Sequence, residues 1–154
     1  MPLRIFTDPE PIEVVSERGP VFLEQGLIHR TSRNELVRSK AELAIAEKLN
    51  AMGVPYVYEQ PFKLGEKTRY PDFTIEDDDA GITYYWEHLG LLVDPDYARR
   101  WEIKRQAYFD AGVRTIEDRG NADRILITTR EIQGSGLDML AIERLATIIL
   151  NGAP

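Results

Sequence analysis

The chain has no cysteine and only two histidines, His29 and His88. Without thiols, disulfides, thiolate metal centres and cysteine nucleophiles are excluded. Two imidazoles are too few for a multi-histidine zinc site. Long apolar runs are missing as well: none approaches the roughly 20 residues needed to span a bilayer, and residues 1–20 hold no signal-peptide core. Nor is there an excess of positive charge, since 19 Lys and Arg stand against 26 Asp and Glu, for a net charge of −7. That balance disfavours passive nucleic-acid binding, in which cations neutralise phosphates. The expectation is a cytoplasmic protein, not a membrane one, whose chemistry rests on carboxylates, hydroxyls and amines.

What is present is a globular composition. The 154 residues are 43% hydrophobic and 29% charged, a length and balance suited to one core without covalent staples. The charge is unevenly placed. Glu76, Asp77, Asp78 and Asp79 form an acidic turn, whereas Arg99, Arg100, Lys104 and Arg105 crowd one stretch and Arg30, Arg33, Arg38 and Lys40 another. Local basic patches on an acidic chain suit phosphate substrates when a divalent cation adds positive charge.

No repeat or linker divides the chain. Residues 12–15 and 21–23, around Arg18-Gly19-Pro20, read as a hairpin, so the predicted organisation is a hairpin-like extension over 1–30 and one domain over 31–154. A helix should begin at Ser32 or Ser39, each of which opens a capping-box pattern, with Glu35 or Glu42 three residues on. It should stop at Met52, before Gly53 and Pro55. Residues 56–59, 70–75 and 82–89 read as strands, 95–110 as a second helix carrying Tyr97, Trp101, Lys104 and Tyr108 along one side, 124–128 as a buried strand and 137–150 as a closing helix.

Strand alternation over 82–89 puts Glu87 on one face with Tyr85 and Leu89, and His88 on the other with Trp86. Asp72 and Glu87 lie on successive strands joined by a short turn, so they can converge, and Glu42 from the preceding helix can reach the same spot. Three carboxylates brought together repel unless a cation sits among them. Oxygen donors with open water positions favour Mg²⁺ or Mn²⁺, which can activate water against a phosphodiester.

Pro71-Asp72, a 14-residue spacer and Glu87, on an αβββαβ order, resemble the PD-(D/E)XK nuclease superfamily. Arg38-Ser39-Lys40-Ala41-Glu42 and Tyr84-Tyr85-Trp86-Glu87-His88-Leu89-Gly90 resemble a branch of it found alone or attached to helicase-type proteins. The resemblance spans residues 30–150. It implies an α/β, restriction-endonuclease-like αβββαβα core with a mixed central sheet flanked by helices, and hydrolysis of DNA by a Mg²⁺-activated water. Asp72, Glu87 and the His88 backbone carbonyl would ligate the metal, while Glu42 would bind a second ion or position water. DNA is the implied partner, and a helicase or other DNA-processing protein a further one. The sequence departs from the superfamily at Leu89, where a lysine is expected. Lys104 is the leading replacement, ahead of Lys63 and Lys40. Two other readings stand beside the nuclease: an inactive module of the same fold that binds nucleic acid or protein, and a glycoside hydrolase using the carboxylate pair.

Overall fold

The computed structural model describes residues 26–90, 92–132 and 136–152. Among the described residues, three helices and a mixed central sheet of six strands form an α/β arrangement. A small antiparallel hairpin, β1 (His29–Arg30) and β2 (Leu36–Val37), comes first. The hairpin expected over 12–15 and 21–23 lies outside the described residues.

Helix α1 runs Lys40–Ala51. Of the two serines that could start it, Ser39 is the cap: its Oγ accepts the Glu42 N–H at 3.0 Å, satisfying one of the donors that a helix start leaves unpaired. Ser32 is drawn elsewhere, donating from N and Oγ to Glu47 Oε1. Gly53, at φ 74°, supplies the left-handed residue that turns the chain away after the helix. Helix α2 is Pro95–Asp110, capped by Asp94 with proline at its first position, and α3 is Met139–Leu150, capped by Asp138.

The three strands expected between α1 and α2 are β3 (Val57–Tyr58), β6 (Phe73–Asp77) and β7 (Ile82–Leu89), an antiparallel meander. Between β3 and β6 the chain inserts a second hairpin, β4 (Phe62–Leu64) and β5 (Lys67–Arg69), which the sequence reading did not resolve. Its strands have only three residues each, too short for alternation to register. After α2, β8 (Arg114–Thr115) and β9 (Arg124–Ile132) join in parallel, β9 pairing with β7 along its length, and β10 (Gly136–Leu137) pairs antiparallel to β9. Short β8 and β10 also escaped the sequence reading.

The sheet separates two apolar clusters. On one face Phe73, Ile75, Tyr84, Trp86, Ile125 and Ile127 meet Ile45 and Leu49 of α1 and Ile142 and Ile149 of α3. On the other, Tyr85 and Leu126 pack with Tyr108 of α2, Val113 and Leu64 of β4, and Phe62 stacks on Tyr85 at 4.4 Å between ring centroids. Of the acidic stretch expected as a turn, Glu76 and Asp77 instead end β6, paired with Thr83 and Ile82, because the ladder runs on to its last hydrogen-bonded pair; residues 78–81 turn the chain into β7, with Gly81 at φ 69°. This turn fixes the register Phe73↔Trp86, and the same register continued by one residue brings Asp72 abreast of Glu87. The acidic turn is thereby held at the far end of both strands from that pair. Among the described residues no helix is long and apolar enough to cross a membrane.

Candidate active site

The strand ends of β6 and β7, the start of α1 and the inner side of α2 meet at one place. Glu87 is buried at 5% exposure, in the middle of an aromatic strand where an unaccompanied carboxylate would be strongly unfavourable. It is accompanied. Lys104 Nζ stands 2.6 Å from Glu87 Oε2, and the Tyr108 hydroxyl donates to the same oxygen at 2.5 Å. Lys104 and Tyr108 are four residues apart on α2 and so share a helix face, which is the face that packs on the sheet. Burial, followed by the Glu87 charge, raises the Tyr108 phenol far above its ordinary value, keeping it a donor.

Asp72 Oδ2 accepts the His88 N–H at 2.7 Å, tying the residue before β6 to the end of β7. Its pKa is raised well above the usual value, by burial first and then by the Glu87 and Glu42 charges; the His88 N–H and Lys104 act against that rise. Glu42 completes the cluster from α1. Its Oε1 accepts the Tyr58 hydroxyl at 2.5 Å and the Arg38 N–H at 3.2 Å. Burial raises its pKa, with the nearby Glu59 charge adding to the effect and the Tyr58 bond opposing it. Capping and a place in the acid cluster are thus compatible for Glu42: its N–H serves the cap and its carboxylate the cluster.

The structure therefore gathers Glu42, Asp72, Glu87 and Lys104. Lys63 and Lys40, the other lysines considered, are both exposed. Leu89 is buried at 4% exposure, on the Glu87 side of the strand. The His88 backbone adjoins Asp72 through its N–H, while its ring lies on the other side, with Nδ1 2.9 Å from Thr129 Oγ1, which also accepts the Trp86 indole N–H at 3.1 Å. Burial lowers the His88 pKa, favouring the neutral ring.

Several residues at this place were not singled out as functional in the sequence. Tyr58 and Tyr108 hold the two glutamates. Tyr108 had a signal, since it lies on the same α2 stripe as Lys104; Tyr58, on a strand of two residues, had none. Glu59, at φ 52°, is a non-glycine residue in the left-handed region. Its N–H donates to the Asp72 carbonyl at 3.1 Å and its carboxylate pairs with Arg38 Nε at 2.7 Å, so the Arg38–Glu59 pair frames the cluster from behind.

Oxygen donors at one locus are the right chemistry for a hard divalent cation, but the acids are engaged with other donors. Among the described residues no group of three or more His, Asp or Glu side chains is arranged to hold a metal ion. Glu87 faces Lys104 and Tyr108, and Glu42 faces Tyr58; a cation would have to draw these carboxylates from their present partners. Comparison of the chain with protein-family models, curated proteins and solved structures finds no match.

Two outcomes follow from this arrangement. Folded Asp72 and Glu42 retain protons at pH values where the unfolded chain, with ordinary values of 3.8 and 4.5, has released them. Their contribution to stability is therefore greatest below those ordinary values and declines as pH rises through the folded ones. Asp72→Asn keeps the shape and an acceptor for the His88 N–H while removing the charge. In metal-free thermal melts from about pH 5 to pH 8 it should melt above the wild type at neutral pH and show a flatter profile; a lower melting temperature at neutral pH would refute the repulsion.

The second outcome concerns the buried pair. Lys104→Met strips Glu87 of its cation and should cost about 3 kcal/mol, the scale of a half-broken buried ion pair. Adding Glu87→Gln should recover most of that loss in denaturant titration. Equal losses in the single and double variants would show that Lys104 contributes packing alone.

Proposed function

We propose that this protein is a metal-dependent nuclease of the PD-(D/E)XK type that hydrolyses DNA phosphodiester bonds. The observation that carries the reading is the meeting of Asp72, Glu87 and Lys104: two acids from adjacent strand ends and one amine 2.6 Å from Glu87. The element order supports it. Helix α1, an antiparallel meander, α2, the parallel strand β9 and α3 follow the αβββαβα sequence of a restriction-endonuclease-like core, with β4–β5, β8 and β10 as additions.

Asp72 and Glu87 would hold the cation with the His88 backbone carbonyl, and Glu42 would hold a second one or orient water. A bound Mg²⁺ or Mn²⁺ polarises a phosphoryl oxygen and lowers the pKa of a coordinated water. Lys104 does the work expected of the missing strand lysine. Released from Glu87, its ammonium offsets negative charge growing on the phosphate. Tyr108 keeps the Glu87 carboxylate aimed from within the core, and Tyr58 does the same for Glu42. Raised pKa values at Asp72 and Glu42 mean that a cation must displace protons as it binds, so metal affinity should rise with pH.

A second reading is an inactive module of the same fold that binds nucleic acid or protein. Two observations favour it: a buried leucine fills the lysine position, and Glu87 is already satisfied by two donors.

Incubation with single- and double-stranded DNA separates the two. Cleavage should require Mg²⁺ or Mn²⁺, stop with EDTA and vanish in Asp72→Ala and Glu87→Ala. Lys104→Ala should slow it by about 10²–10³, the scale of one lost electrostatic contact in a transition state. EDTA-resistant cleavage would exclude the metal mechanism, and no cleavage with either ion would leave the inactive module.

A further inference from the structure

Beside the acid cluster, between β5, β7 and α2, lies a cavity of about 250 Å³ lined by Arg69, Glu87, Leu89, Tyr97, Arg100, Trp101 and Lys104. Its cations are not equivalent. Lys104 is committed to Glu87. On the same helix Arg99 pairs with Asp96 and Arg105 with Glu102, and Arg38 pairs with Glu59. Arg69 and Arg100 have no acidic partner among the described residues. The Arg100 guanidinium reaches only the Tyr97 ring, 6.0 Å from its centroid. Arg69 is the more telling of the two: its Nε is buried and has no hydrogen-bond partner.

A buried donor on a permanently charged group, left without an acceptor, is unfavourable enough to call for an explanation. Arg69 stands on β5 of the inserted hairpin, and Arg100 faces it from α2 across the cavity. Two guanidiniums lining one half-open cavity, Arg69 partly buried and Arg100 exposed, supply the forked donors suited to a tetrahedral oxyanion. Glu87, which would repel an anion, also lines the cavity, but its Oε2 is paired with the Lys104 ammonium and accepts the Tyr108 hydroxyl. Trp101 and Tyr97 in the same wall offer ring surface of the kind on which nucleotides pack. The volume of about 250 Å³ suits one phosphate with part of its sugar or base.

We infer that this cavity is a phosphate-binding subsite in which Arg69 and Arg100 hold a phosphate group of an unpaired nucleic-acid strand, next to the bond presented to Asp72 and Glu87. The inference rests on the nuclease reading for the identity of the strand, but the phosphate site has its own test.

Binding of a fluorescently labelled single-stranded oligonucleotide to the full chain, followed by anisotropy in EDTA, reads the subsite without turnover. Arg69→Gln should weaken binding at least about tenfold, the loss of one charge-assisted contact, and Arg100→Gln should act in the same direction. Arg144→Gln, which removes the same charge from an exposed position on α3, should have little effect. Arg69→Lys, which retains charge without the fork, should fall between wild type and Arg69→Gln and serves in its place if that variant fails to fold. Inorganic phosphate should compete in the wild type and lose potency in Arg69→Gln. A 5′-phosphorylated oligonucleotide that binds more tightly than its unphosphorylated twin, with the gain lost in Arg69→Gln, identifies a strand end as the ligand. Equal binding of the two identifies an internal phosphodiester. Equal weakening by Arg69→Gln and Arg144→Gln would overturn the subsite. Arginine-dependent binding without Mg²⁺-dependent cleavage would keep the subsite and sink the nuclease reading. Cleavage with binding indifferent to Arg69 and Arg100 would do the reverse.

Discussion

A carboxylate inside a sheet layer must be met by positive charge or donors, and Glu87 imposes that demand on everything around it. It lies on β7, the strand that pairs with both β6 and β9, so it cannot be moved toward solvent without taking the centre of the sheet along. Helix α2 answers it with Lys104 and Tyr108. The electrostatic requirement therefore also fixes the helix: to deliver both groups to one oxygen, α2 must lie across the Tyr85 face with Trp101 and Tyr108 inward. The apolar contacts of that face, Tyr108 with Tyr85, Val113 and Leu126, give the docking its strength but are non-directional. The ion pair supplies the direction.

On the opposite face of the sheet, Trp86 and His88 share Thr129, and the packing of α1 and α3 is almost wholly apolar. The exceptions are the Lys48–Glu143 pair that joins the two helices at 3.7 Å and Glu42, set at the first turn of α1 where the helix reaches the sheet's end. The site draws on both layers, and beside it β3 is followed by Glu59, a non-glycine residue at positive φ. Residues in the left-handed region without glycine are held there by their surroundings. Here the holders are the Arg38 ion pair and the bond to the Asp72 carbonyl.

Much of this was legible in the sequence where a physical signal was long enough to be periodic. The alternation over β7 placed Glu87 and His88 on opposite faces, and the α2 stripe placed Lys104 and Tyr108 together. The limits read for α2, 95–110, are those observed, Pro95–Asp110. Where elements shrink to two or three residues, as in β3, β4, β5, β8 and β10, no period exists to be read, and tertiary pairing decides their conformation. That is why the β4–β5 hairpin escaped notice, and with it Arg69. The choice between Ser32 and Ser39 was likewise beyond local pattern: both satisfy a capping box, and what separates them is the distant Glu47, fifteen residues on from Ser32, which draws the first serine away.

Leu89 is best understood through the helix that covers it. A lysine at that position would project from β7 toward α2, into the cavity wall it would share with the half-buried Trp101 and Tyr97, and would lose part of its hydration there. Placing the amine on α2 instead lets the Lys104 stem run along the apolar surface, with its head at Glu87 and its side chain still 19% exposed, the ordinary way a long cationic side chain avoids full burial. Leu89 then closes the wall of the cavity with a residue that carries no charge. The exchange has a consequence for neighbouring cations: with the amine arriving from the helix, the strand face beyond Glu87 is apolar. The cations left to meet an anion in the cavity are then Lys104, paired with Glu87, and Arg69 and Arg100, which have no acidic partner among the described residues.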